Sequence, residues 1–275
     1  MISELSLQTA LRNGRTYLKD VYCTPPFKVA DITEDRRQGV LHLMIMSSSP
    51  GVLDGDRQQV TIDLAEGTQL HLHTQAYQRL FHMKKGATQQ VEVRLGAGAS
   101  LCYLPLPVVP HVASHFTARN RVHLSSGCRL VWGEVLTCGR KLSGEVFRFT
   151  HYQNITEVFL AGRLVLKENL LLRPDATDLS GLGQWEGYTH QGGLIFLDET
   201  ASVSEGIAEI SEDLSAVPGI SFGLTAAPVN GLILRLLGHK AETLHSLLKK
   251  VADKLLTQEL RNKGTQERTR KLVNP

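Results

Sequence analysis

Three copies of LxxGxxL punctuate the first half of the chain: Leu64/Gly67/Leu70, Leu95/Gly98/Leu101 and Leu124/Gly127/Leu130, spaced by 31 and then 29 residues. Each copy separates two alternating apolar stretches: Val60/Ile62/Leu64 from Leu70/Leu72, Val91/Val93/Leu95 from Leu101/Tyr103, and Val122/Leu124 from Leu130/Trp132. Alternation turns one face of a strand to a core, and the central Gly allows a tight turn. A strand–turn–strand unit repeated at this period cannot bury its apolar face alone, so successive copies must stack. The spacing predicts a mainly β fold, with stacked hairpins forming a β-helix-like or layered β domain.

The rest of the chain agrees. Leu5 to Asp20 alternates around Asn13-Gly14, the signature of a type I′ hairpin. TPPF at Thr24 to Phe27 excludes helix and ladder at two adjacent positions and reads as an extended connector. Val40 to Met46 is the next strand, and further strands are expected over Glu145–Thr150, Ile155–Leu160, Leu164–Leu172, Gly187–Leu197 and Ile220–Thr225. Leu232 to Leu237 is too short before Gly238 to be read as a secure helix. One amphipathic helix is expected at about 241–260, where Leu244, Leu247, Leu248, Val251 and Leu255 recur at helical spacing opposite Lys249, Lys250 and Lys254. A flexible tail, 261–275, would follow, and the whole of 1–275 would form one domain. Without strand–helix alternation there is no βαβ crossover, which excludes Rossmann and (β/α)-barrel architectures.

Composition narrows the function classes. The chain is 42% hydrophobic and 21% charged, and no apolar run approaches the roughly 18 residues of a membrane span. The N-terminal segment carries Glu4 and lacks the basic start and apolar centre of a signal peptide. Cys23, Cys102, Cys128 and Cys138 form no CxxC pair, as expected for reduced thiols in the cytoplasm. The net charge is only +3, and the C-terminal basic cluster from Lys249 to Lys271 has no interleaved aromatic residues, so neither a nucleic acid nor a membrane is expected as partner.

Several stretches could carry chemistry. Ser47 to Asp56 (SSSPGVLDGD) packs Pro50, Gly51, Gly55, Asp54 and Asp56 into one bend. It is no phosphate cradle, since Asp56 stands where a P-loop needs Lys. Its carboxylates could instead ligate a cation, bind a partner's backbone or cap their own turn. His71 and His73 share one strand face and could ligate nickel or zinc, although two ligands alone are incomplete. GISFG at Gly219 to Gly223 matches the GxSxG of hydrolases, followed by Glu242 and His245, so a serine hydrolase using Ser221 is one alternative. Pro218 and Pro228 flank it, and the strand-to-helix elbow that this motif needs is not expected there. Asn154-Ile155-Thr156 is a glycosylation sequon only in an exported protein. Glu134 and Glu168 lie within alternating apolar stretches, where an outward, solvated carboxylate is the default; facing inward, either would need pairing, hydration or a metal.

SSPGVLDGD, TQAYQRLF at Thr74 to Phe81, LPLPVVP at Leu104 to Pro110 and WGEVLTCGR at Trp132 to Arg140, in this order and spacing, resemble the UreD (UreH) family of urease accessory proteins. The resemblance runs from TPPF through the C-terminal helix. It implies a non-enzymatic scaffold that binds apo-urease and recruits UreF, through which UreG delivers nickel, with no tightly bound cofactor and nickel only in transit. It also implies a β-helix-like fold and a water-filled internal nickel path lined by acidic and polar side chains. By position, the path acids fall on Asp56, Glu134 and Glu168, and the motif or interaction residues on Gly51, Gly55, Thr74, Gln75, Arg79 and Arg140. Asp54 is then left as a turn cap, and the HxH pair lies outside the family pattern. A nickel escort that must release its ion suits scattered carboxylates better than a closed Cys/His cage. A β-solenoid interaction protein unrelated to nickel remains the other alternative.

Overall fold

The computed structural model describes residues 1–199 and 203–257. Two sheets face each other. The first is ordered β14 (Arg163–Leu172), β13 (His151–Leu160), β11 (His115–Leu124), β8 (Ala87–Leu95), β5 (Arg57–Leu64), β1 (Ile2–Arg12) and β2 (Arg15–Cys23). The second is ordered β16 (Ser221–Ala227), β17 (Gly231–Gly238), β15 (His190–Asp198), β12 (Arg129–Thr137), β9 (Ser100–Tyr103), β6 (Gln69–Thr74), β4 (Leu41–Ser47) and β3 (Phe27–Asp31), with the short β7 (Gln78–Leu80) and β10 (Val108–Pro110) alongside. Helices α1 (Val203–Ser215) and α2 (Ala241–Leu256) pack on the second sheet.

The LxxGxxL copies are the corners of this stack. The strands on either side of each Gly do not pair with one another. Strands β5, β8 and β11 lie parallel in the first sheet with Leu64, Leu95 and Leu124 in register, while β6, β9 and β12 lie parallel in the second with Leu70, Leu101 and Leu130 in register. Each unit is therefore an arch between sheets rather than a hairpin. Gly67, Gly98 and Gly127 take φ of 67°, 65° and 66°, a left-handed corner that a Cβ would strain. The corners also bond to each other: Gly67 N–H donates to Ala97 O at 2.9 Å and Gly98 N–H to Ser126 O at 3.0 Å. Alternation alone could not separate arch from hairpin, because both bury the same residues on the same face.

Two apolar layers follow. Leu5, Leu7, Ile62, Leu72, Val93, Leu101 and Leu130 fill the space between the sheets. Phe196, Leu232, Leu234 and Leu236 of the second sheet's outer face meet Ile210 and Leu214 of α1 and Leu244, Leu248, Val251 and Leu255 of α2. Each fully buried aliphatic side chain of that stripe contributes about 1.5–3 kcal/mol. The expected helix is thus present, and Leu232–Leu237 lies in strand β17. Residues 258–260 of the expected helix, the 261–275 tail and the basic residues from Arg261 to Lys271 lie outside the described residues. Helix α1 was not expected, although Ile207, Ile210 and Leu214 carry its apolar stripe. Among the described residues no helix is long and apolar enough to cross a membrane.

Candidate functional site

Between the sheets, at the end opposite the Gly corners, lies a cavity of about 310 Å³, and a second of about 140 Å³ adjoins it. Trp132 and Glu134 line both. The first sheet supplies polar side chains where its alternation would otherwise place aliphatic ones. Gln89 Nε2 donates to Gln58 Oε1 at 2.8 Å, and Asn120 Nδ2 donates to Asn154 Oδ1 at 2.8 Å and to Thr156 Oγ1 at 3.0 Å. Asn154 in turn donates its amide to Glu134 Oε2 on β12 of the facing sheet.

Glu134 is largely surrounded by protein, and the small part of its surface left accessible faces the cavities. Burial pushes its carboxyl up to about 7; the Asn154 hydrogen bond pulls it down, the Glu168 charge pushes it further up, and Arg235 offsets that. Glu168 on β14 sits in register with Thr156 and pairs with Arg235 on β17, and all three line the smaller cavity. Two carboxylates, an arginine and a run of side-chain amides thus surround space large enough for several waters. Such oxygen donors hold a divalent cation loosely and exchange it. Among the described residues no group of three or more His, Cys, Asp or Glu side chains is arranged to hold a metal ion.

The four sequence motifs form successive rungs against this space. Val52 N–H donates to Arg79 O at 2.8 Å and Phe81 N–H to Val52 O at 3.0 Å; Leu80 then pairs with Pro110, and Val108 with Leu136. Gly51 is required by close approach, since a Cβ there would stand 2.3 Å from Arg79 O. The structure places Gly51, Thr74, Gln75, Arg79 and Glu134 on the larger cavity, and Thr74 Oγ1 also accepts from Leu106 N–H at 2.8 Å.

The remaining sequence candidates lie apart. Asp56 lines neither cavity. It accepts from Leu53 N–H at 2.9 Å and pairs with the N-terminal amine at 3.1 Å, two residues before Gln58 of the polar row. Asp54 does not cap its own turn: its Oδ1 accepts from the backbone N–H of Lys84, Lys85 and Gly86 at 3.0, 2.7 and 3.1 Å, which holds its carboxyl below the usual range. The turn cap is Asp56. Gly55, at φ 77°, donates to Gly86 O at 2.9 Å, so the bend is laced to the loop beside it. Arg140 is paired with Glu145, whose Oε2 also accepts from Val112 N–H, and it staples a surface loop rather than reaching a cavity.

Ser221 opens strand β16, an edge strand that leads into β17, and Glu242 accepts from Tyr77 Oη at 2.7 Å; the strand-to-helix elbow of a serine hydrolase is not built here. Asn154 is buried against Glu134, which closes it to glycosylation. Sequence reasoning missed Gln58, Gln89, Asn120, Asn154, Thr156 and Arg235. A signal existed: Gln58 and Gln89 each stand six residues before a repeat Leu, on the inward parity.

A family model described as "UreD urease accessory protein" matches residues 2–271. A urease accessory protein UreD of Flavobacterium johnsoniae is 43% identical over 256 residues, which cover 93% of this chain and 92% of the relative. One of Acetivibrio thermocellus is 35% identical over 248 residues, covering 90% and 94%, and one of Actinobacillus pleuropneumoniae serotype 7 is 34% identical over 267 residues, covering 94% and 98%.

Proposed function

The chain belongs to the UreD family of urease accessory proteins, and on that premise we propose that it is a cytoplasmic, non-enzymatic scaffold that binds apo-urease and, with UreF and through it UreG, passes nickel toward the urease metallocentre. The observation that carries this reading is the position of Glu134, which lines both interior cavities and is hydrogen-bonded to the polar row of the facing sheet. A cation passing along Gln58, Gln89 and Asn120 would meet this carboxylate inside the cavity. Glu168, in the smaller cavity, supplies the next, and its pairing to Arg235 leaves that step a near-neutral exchange rather than a trap. Asp56, at the end of the polar row, takes the ion at the mouth. No side chain in this path is a thiolate or imidazole cage, which favours release.

Nickel is cargo here and no tightly bound cofactor is required. The whole of 1–275 acts as one domain, with the rungs bearing Gly51, Thr74, Gln75 and Arg79 as the wall of the larger cavity. Co-expression with the urease subunits, UreF and UreG tests the scaffold role: the chain should co-purify with them, and urease made without it should remain nickel-free. A chain that purifies alone and leaves urease activation unchanged contradicts it, and would leave a β-solenoid interaction protein unrelated to nickel as the reading.

A further inference from the structure

Three imidazoles lie together on the outer face of the second sheet. His42 on β4 lies in register with His71 on β6, and His73 follows on the same face, all turned away from the Leu41, Leu43, Leu70 and Leu72 core. His42 Nδ1 stands 3.3 Å from His73 Nε2 with the two rings 11° from parallel, and the His71 ring centroid is 4.7 Å from that of His42. All three are partly exposed, so an ion in solution can reach them. Burial and mutual repulsion hold His71 down at about 4, and burial lowers His42 and His73 as well. Helix α2 brings His245, whose Nε2 is buried without a hydrogen-bond partner, within electrostatic reach of His73.

We infer that His42 and His73, joined by His71, form a transition-metal site on this outer face that takes a borderline divalent cation such as nickel or zinc. The 3.3 Å separation of the two nitrogens is the bite of one ion bound to both through bonds of about 2.1 Å at an angle of about 104°, close to tetrahedral. Among the described residues the three rings are not arranged as a ligand set, and the facing nitrogens of His42 and His73 have one proton between them. The ring that carries the proton between them shifts it to its other nitrogen by exchange with solvent, so that both facing nitrogens present lone pairs as neutral imidazoles, and a turn of the His71 ring supplies the third nitrogen, with water in the remaining position. Asp31 and Glu34 beside His42 add negative potential, and Lys249 beside His73 opposes it, so the site is exchangeable. Cys102 continues the row next to His71, but burial pushes its thiol up to about 12 and leaves it outside the ligand set. This site lies across the second sheet from the interior cavities and does not rest on the reading of the path.

The test is calorimetric titration of the metal-stripped full-length chain with nickel alone at pH 7.5. Wild type should bind one more ion than the His42→Gln/His73→Gln variant, and His71→Gln should weaken that ion about tenfold, whereas Glu134→Gln should leave it in place. An unchanged stoichiometry in the double variant overturns the inference. Histidine NMR of the wild type gives a second reading that requires no variant: substoichiometric nickel should broaden the His42 and His73 ring signals first, and first broadening at other histidines contradicts the site.

Discussion

Asn154 of the first sheet donates its side-chain amide to the carboxylate of Glu134 in the second, bridging the two sheets across the wall shared by two interior cavities. The bond fixes the one acid that both cavities reach. It also shows why burial is tolerated there: the carboxyl has a polar partner and open space, in place of a close-packed apolar shell.

Glu134 titrates within the working range, and the sign of its pH effect follows. Its carboxyl is raised from 4.5 to about 7 in the folded chain, chiefly by burial, so the folded state keeps a proton that the unfolded chain gives up between those values. The stability this contributes is full below pH 4.5 and is lost as pH rises through about 7, by about 3 kcal/mol in all. Urea unfolding should therefore show Glu134→Gln gaining stability over wild type between pH 5 and pH 8, and matching slopes for the two proteins would refute the raised value.

On the proposed nickel path, the same titration would govern the ion. Interior nickel binding should weaken about tenfold per pH unit below 7 in wild type, because each ion must displace the Glu134 proton. Glu134→Gln should flatten that dependence in equilibrium dialysis.

Gly51→Ala drives a Cβ to within 2.3 Å of Arg79 O and must break the pairing of Val52 with Arg79 and Phe81. A loss of about 2–3 kcal/mol is expected, read as a fall of roughly 5–10 °C in Tm. Gly55→Ala meets no atom within 4 Å but sits at φ 77°, so it should cost less, as backbone strain only.

Asp54 and Asp56 should separate by phenotype. Asp54 accepts three backbone N–H groups of the 84–86 loop, so Asp54→Ala should lower Tm and increase hydrogen exchange at Lys84 to Gly86. Asp56→Ala removes a turn cap and the acid at the end of the polar row; it should leave that exchange unchanged while reducing nickel delivery.

The repeat made the layered β fold legible because period-two alternation and the Gly corners survive in plain sequence. Which strand pairs with which did not, since Leu64 is buried equally by an arch or a hairpin. Helix α1 escaped because Gly206 and the acidic residues around Ile207 and Ile210 dilute its stripe. Glu134 and Glu168 stood out as carboxylates within apolar alternation, with an outward, solvated position as the default, and the amides beside them did not stand out: Gln58, Gln89 and Asn154 read as ordinary strand polars until the facing sheet is present. The turn cap fell to Asp56 rather than Asp54 because their partners, Leu53 and the 84–86 loop, are set by the stacking of neighbouring loops.

The account turns on Glu134 as a station for nickel in transit. The direct measurement is the nickel content of urease matured in cells that carry Glu134→Gln in place of the wild-type chain, together with the amount of urease co-purifying with it. Nickel occupancy reduced tenfold or more with an intact complex is the predicted result. Full occupancy with an intact complex would contradict the account.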